Sequence, residues 1–348
     1  MFDFSTTKLS RIAVHNVGNA SRDEGLVSAQ DEMQIESEMI RDLLLRYFLS
    51  PFKDTQLYHL THDSDLRLNE IYTYISAIFA NPEKLYENSI HIAQHLYTQS
   101  LHPKIKAGEF YVVYLEDCVL EDEVADAIGL FKSENKDTYL KVKQTEDNFE
   151  VASDVGTNIN KMEKGCLIFN TEKEKGYVLA MTDAINKQNE AAYWKDAFLK
   201  VVPRQDVSFF TQNYMELCKN FINENYEAES GSDKAEQVVV KNKTVQFFTE
   251  KEDFSEAEFE QQVLAAPEKI AAFREYKQEF QERTQIEIPE DFEIAPPAVK
   301  MAKRLFKNQI KLDNTFNINI LKDTEHLVRG FDEERNMKYY QLFYEEEK

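Results

Sequence analysis

Glycine-built phosphate loops are missing from this sequence. Only 9 glycines and 8 prolines occur in 348 residues. None forms GxGxxG or a GxxxxGK followed by Ser or Thr, which excludes the backbone cradles of dinucleotide and P-loop nucleotide sites. No GxSxG elbow supports a serine hydrolase either. Cysteine is scarce: Cys118, Cys166 and Cys218 are widely spaced, odd in number and without a CxxC pair. Their apolar contexts predict three buried, reduced thiols in a cytosolic protein. No apolar run approaches the ~18 residues that span a bilayer. The start, Met1-Phe-Asp-Phe-Ser-Thr-Thr-Lys8, lacks the basic and apolar parts of a signal peptide. A membrane partner is therefore not expected, and the sequons at Asn19 and Asn242 are expected to be irrelevant. Positive charge is also short, with 41 basic against 63 acidic residues and a formal net charge of −22. That balance argues against a general basic coat for nucleic acid. It leaves room for a local patch, because exposed charges are screened beyond about 8–10 Å.

What is present is ample material for a core. A hydrophobic content of 42% and an aromatic content of 12% exclude a disordered chain, and the length favours two domains. The densest strand-like region runs from Gly108 to Asp183. Phe110–Leu115, Val124–Phe131, Asp137–Val142, Cys166–Phe169 and Tyr177–Met181 are short runs bounded by Gly, Asn and Asp, the pattern of antiparallel strands. Leu9–Val17 predicts an opening strand, with Glu24–Ala29 as its hairpin partner. Three helices are predicted before the central sheet: one over Met33–Phe48 ended by Pro51, one over Asp65–Ala80, and one from Asn81-Pro82 to about Leu101. Beyond the sheet, Trp194–Val202 reads as a short helical turn or strand, and Asp206–Glu224 as an amphipathic helix. Glu227–Asp233 is the clearest linker. Helices follow near Lys234–Thr249, Ser255–Ala265 and Glu268–Gln285, with Ser255 and Glu258 at capping-box spacing. Ile286–Pro297 is an extended connector, and Phe316–Leu321, Glu325–Phe331 and Met337–Tyr344 are strand-like. The expectation is an α+β protein. Residues 1–203 form a domain of helices packed on a mostly antiparallel sheet, and 204–348 a mostly helical domain ending in a hairpin or small sheet.

The most informative constellation is Ala298–Lys311. Lys300, Lys303, Arg304, Lys307 and Lys311 recur at i, i+3, i+4, i+7 and i+11, which on a helix confines them to about 100° of arc. Val299, Ala302, Leu305, Phe306 and Ile310 take the other side, and no acid interrupts the stretch. Such a stripe suits phosphates, which Lys and Arg contact without reading sequence. The plainer alternative is a solvated face, or one paired with the protein's own acids. If Lys311 begins the next strand, the stripe shortens.

Two weaker constellations compete. His91, His95 and His102 share a helical face, with His59 and His62 upstream, but neighbouring Lys84 and Glu87 make them members of a polar face rather than zinc ligands. Asp126 followed by Glu134-Asn-Lys136 imitates an acid, then acid-x-Lys arrangement that holds Mg²⁺ in nucleases. A solvated turn explains the same residues. The acidic clusters at 116–123 and 250–253 lack the glycine and ligand spacing of an EF-hand. No metal or cofactor is expected.

Ile12-Ala-Val-His15, Gly165-Cys-Leu-Ile-Phe169 with Tyr177-Val-Leu-Ala-Met181, Trp194–Lys200 running into Pro203–Phe210, and the terminal unit Ile310–Phe343 together carry a family resemblance. In these segments the chain resembles the bacterial nucleoid-associated proteins of the NdpA type. The resemblance implies an α+β protein of the cytoplasmic nucleoid, with affinity for DNA and no enzyme activity. It adds Arg204, at a basic position of the family's pattern, to the candidate DNA contacts. The expected function is sequence-independent DNA association, directly or through another protein. The alternatives are a module that binds itself or a basic partner through its acidic surface, and a metal-dependent nuclease.

Overall fold

The computed structural model describes residues 2–53, 56–183, 193–228, 234–306, 309–313, 315–320 and 326–346. Its contacts divide the chain into two compact units, Met1–Arg204 and Gln205–Lys348.

The first unit opens with strands β1 (Phe2–Asp3), β2 (Lys8–Val17) and β3 (Leu26–Ser28), then helix α1 (Glu38–Leu49) and strand β4 (Leu57–Leu60). Helices α2 (Glu70–Ala80) and α3 (Leu85–Gln99) follow. The long strands β5 (Gly108–Leu120) and β6 (Glu123–Ser133) come next, then β7 (Asp137–Gln144), β8 (Phe149–Gly156), β9 (Lys164–Phe169) and β10 (Val178–Asp183). A π-helical segment, Tyr193–Leu199, leads into β11 (Val201–Pro203). Nine strands form one sheet in the order β11-β4-β10-β9-β6-β5-β2-β3, with β1 added along β5. Every pairing in it is antiparallel.

Both faces of this sheet are buried. On one side Val112, Ile128, Ile168 and Leu179 pack with Ile71 and Ile75 of α2, Ile92 and Leu96 of α3, and Trp194 and Phe198. On the other side Val113, Phe131, Phe169 and Val178 pack with Tyr47 and Phe48 of α1. Phe48 stacks on Phe131 with ring centroids 4.4 Å apart. The three expected helices are present, divided two and one between the faces. Their starts are fixed locally. Ser37 accepts the Ile40 amide at the head of α1, and Asn69 accepts the Tyr72 amide at the head of α2. Asn69 also donates to the carbonyls of Thr61 and Leu199, so the buried cap ties α2 to the chain beside β4 and β11.

Two features depart from expectation. The four residues of β4 form a strand because β10 and β11 flank them. The strand at Asp137–Val142 does not join the central sheet: among the described residues β7 pairs only with β8, as a separate two-stranded ribbon.

The second unit contains α4 (Val207–Ala228), α5 (Lys234–Glu250), β12 (Asp253–Ser255), and α6 (Glu256–Phe259) continuing as a π-helical turn, Glu260–Leu264. Then come α7 (Pro267–Thr284), β13 (Asp291–Glu293), α8 (Pro296–Ala302), β14 (Gln309–Leu312), β15 (Phe316–Asn319), β16 (Leu327–Asp332) and β17 (Met337–Leu342). Its core is aromatic, gathered round Tyr214, which lies 4.2 Å from Phe254 between ring centroids. The capping box at Ser255 does not form. Ser255 ends β12, paired with Asp291, and its side chain makes no cap bond. The expected extended connector carries β13, and β14–β15 and β16–β17 close the chain as two antiparallel pairs. The whole is an α+β fold. The three thiols are buried, and burial pushes that of Cys118 up to about 11.

Glycine is indispensable at one turn. Gly176 has φ +108°, and a Cβ there would lie 2.1 Å from the Leu60 carbonyl oxygen, while its own carbonyl accepts the Leu60 amide at 3.0 Å. Gly25 also has positive φ, +78°, but nothing lies within 4 Å of its Cβ position. Gly25→Ala is expected to cost about 1 kcal/mol, from backbone conformation alone. Gly176→Ala adds a clash with backbone and is expected to cost roughly 3 kcal/mol or more. Equal urea midpoints for the two variants would show the steric argument to be wrong.

Candidate nucleic-acid interface

The basic stretch is built outward from the second unit's core. Pro296 and Pro297 open α8 with φ already set for a helix. Ala298, Val299 and Ala302 are buried, and Lys300 points to solvent. The α-helix then stops at Ala302. Lys303–Leu305 tighten into a 3-10 turn, and Phe306 turns extended while its ring enters the core. Lys303 is half-buried and Arg304 exposed. Lys307 lies outside the described residues. Lys311 is exposed on β14, beside Ile310, which is buried with Val238 and Ile320.

The single helical arc expected for these cations is therefore corrected. They follow one another on a short helix, a 3-10 turn and a strand. Gln309-Ile310-Lys311-Leu312 alternates with period two and pairs with Phe316–Asn319. Placing Ile310 and Leu312 on the apolar side of that pair requires the chain to leave the helix first.

Among the described residues, none of Lys300, Lys303, Arg304 and Lys311 lies within ion-pair distance of an acid. Other cations of the same unit do pair. Arg274 donates to Glu260 at 2.6 Å, Lys277 to Glu256 at 2.7 Å, and Lys251 to Glu258 at 2.8 Å. Lys219, Lys243 and Lys338 of this unit also have no acid within that distance, so what sets the stretch apart is that its cations lie close together in sequence with no acid between them.

Arg204 stands apart. It donates to Glu121 at 2.9 Å and to Glu172 at 2.6 Å, with its side chain only 18% exposed. Glu172 also meets His59 at 3.0 Å and Lys175 at 3.3 Å. Burial raises the Glu172 carboxyl, but Arg204 and Lys175 outweigh it and hold it below its ordinary value. The guanidinium is a structural tie within the first unit.

The acid-x-Lys arrangement does not converge. Asp126 lies in the first half of β6 and Glu134 just past its end, eight residues on and roughly 25 Å away along an extended chain. Asp126 accepts from the Tyr114 hydroxyl at 2.7 Å. Glu134 meets Lys132 at 3.3 Å and the Tyr193 hydroxyl at 3.3 Å, and Lys136 donates to Glu109 and Thr157. Among the described residues no group of three or more His, Cys, Asp or Glu is placed to hold a metal ion.

One polar cluster escaped the reading of the sequence. Lys132 and Lys164 are register partners on β6 and β9, both buried, with Glu134 between them and Asp183 3.6 Å from Lys164. Burial pushes the Lys132 ammonium down, against the pull of Glu134. The signal was a lysine closing each of two aligned apolar runs.

The histidines are structural. His15 Nδ1 accepts the Ala29 amide at 3.3 Å, and Nε2 bonds Ser89 Oγ at 2.8 Å, whose hydroxyl donates to the Tyr86 carbonyl. His95 Nε2 donates to the Phe198 carbonyl at 3.1 Å, and His91 stacks on Tyr74.

The family model described as nucleoid-associated protein YejK matches residues 13–345, which include most of both units' cores and the basic stretch. Among curated proteins, none matches the chain.

Burial pushes the imidazoles of His15, His59 and His95 below their ordinary value of 6.5. For His15, protonation at Nδ1 would also set an N–H against the Ala29 amide. With folded pKa values depressed, the unfolded chain takes up protons first as pH falls. Stability is thus full above about pH 6.5 and declines from there towards the lower folded values. Urea midpoints should fall between about pH 7.5 and about pH 5.5, and His15→Gln should flatten that slope. A wild-type midpoint that does not move over this interval would contradict the assignment.

Proposed function

The chain belongs to the family of nucleoid-associated protein YejK, and from that premise we propose that it binds duplex DNA directly without reading sequence. Lys300, Lys303, Arg304, Lys307 and Lys311 contact phosphates. The observation that carries this reading is that the described cations of the stretch have no acid partner, although acids outnumber bases by 63 to 41. An internally neutralised stretch would have favoured a module that meets proteins through its acids. Base readout is not part of the proposal. The seven residues of α8 spend their apolar half on the core, and the exposed half presents no Asn, Gln and Arg set for base edges. Arg204 belongs to its own ion pairs and is left out of the interface.

The role is architectural rather than catalytic, with no cofactor, and the site of action is the cytoplasmic nucleoid. Among the described residues no helix is long and apolar enough to cross a membrane. A net charge of −22 repels DNA at long range, so affinity is modest and contact depends on the local patch.

Fluorescence anisotropy of a labelled duplex across a salt series tests the reading. Binding that neutralises four or five phosphates has log K falling against log salt with a slope of about −4. Reversing Lys300, Lys303, Arg304 and Lys307 to Glu should abolish it, and two duplexes of unrelated sequence should bind alike. If neither protein binds at low salt, direct contact is wrong, and nucleoid association proceeds through another protein.

A further inference from the structure

The ribbon of β7 and β8 has one face with no charge on it. Directly opposed residues share a face in an antiparallel pair. Thr138 with Val155, Leu140 with Ser153, Val142 with Val151, and Gln144 with Phe149 make up one side. The other side carries Asp137, Tyr139 with Asp154, Lys141, and Lys143 with Glu150, and its Lys141–Asp154 pair is closed. On the uncharged side Leu140, Val142, Phe149, Val151 and Val155 are each between 61% and 70% exposed. The base is anchored, with Asp137 accepting from Asn158 at 2.7 Å and Lys136 donating to Glu109. Two strands alone are at best marginally stable in water, and an apolar patch of this kind marks a contact surface.

We propose that this face is a self-association surface, covered by the same face of a second copy of the chain. Charge singles out that occupant. Two copies, each of net charge −22, repel wherever acids meet, and here they meet without any ionisable group. DNA phosphates would find no cation there, since Lys141 and Lys143 lie on the opposite side. A basic partner would find no acid. A bilayer would leave both ribbon edges with unpaired backbone groups. The face is also self-complementary: the Val142 and Val151 pair is flanked by Leu140 and Phe149, so a twofold axis brings like to like. Five such side chains, two-thirds exposed, offer on the order of 400 Å² per copy. Two copies bury roughly 800 Å² of this apolar surface, below the about 1,200 Å² at which stable specific interfaces begin. The dimer is accordingly reversible and concentration-dependent.

Sedimentation of the full chain from about 1 to about 200 µM tests this. Wild type should pass from monomer to dimer over that range. The double variant Leu140→Glu with Val151→Glu places four carboxylates in each interface and should weaken association at least about 100-fold. Ala152→Glu, on the charged side, should leave it unchanged. All three positions are exposed, so circular dichroism should match wild type. Cross-linking gives a second readout, because the native thiols are buried. A short bis-maleimide should join copies of Val142→Cys and not of Ala152→Cys. A wild type that stays monomeric throughout overturns the proposal, as does a dimer indifferent to the double variant. None of these readouts involves the basic stretch, so failure here leaves the DNA reading untouched.

Discussion

Phe131 and Ile128 point to opposite sides of the same strand, and both are sealed from water. That one condition shapes the first unit. Strands β5, β6, β9 and β10 carry apolar side chains on alternate and intervening positions, so neither face of their sheet can be solvated. Each such side chain contributes about 1.5–3 kcal/mol when fully buried. The chain must therefore supply cover on two sides, with α2, α3 and the Trp194 segment on one and α1 on the other. The edge strands are short, which limits the unpaired backbone the sheet leaves at its rim.

Much of this was legible because apolar runs bounded by turn residues mark buried strands, whichever face they serve. The same feature hid the layering. A strand buried on one face alternates, whereas Phe110–Leu115 is continuous, and the meaning of that continuity emerges only when helices are found on both sides. β4 was illegible for another reason: four residues gain strand identity from their neighbours. β8 carries Glu150, Ser153 and Asp154 among its valines and, among the described residues, pairs with β7 alone, so no apolar run marked it.

The basic stretch shows how two periods overlap. Val299, Ala302, Phe306 and Ile310 satisfy helical spacing over three turns, and the cations opposite them seemed to confirm it. Yet Ile310 and Leu312 also satisfy strand spacing, and the second unit's β pair claims them. Which residues are apolar was readable, and so was which are cationic. Where the helix yields to the strand goes with the pairing of Ile310 with Ile318 and Leu312 with Phe316, a cross-strand register that helical spacing does not report. Lys300 and Arg304, before the strand, and Lys311 within it are exposed all the same.

Two surfaces of unlike chemistry then sit on one acidic chain, a cation run on the second unit and an uncharged ribbon on the first. Their energetics are complementary. In the proposed function, a handful of phosphate contacts against a net charge of −22 would give weak, salt-sensitive binding. The proposed dimer, joined through a surface that costs no charge repulsion, would place two such runs on one particle. The second contact then becomes intramolecular, and avidity rises by orders of magnitude without any new cation. On these two proposals, an acidic protein would hold DNA through a few residues of each copy. Occupancy then responds to protein concentration more steeply than a single patch allows, because dimer formation enters before the second phosphate contact.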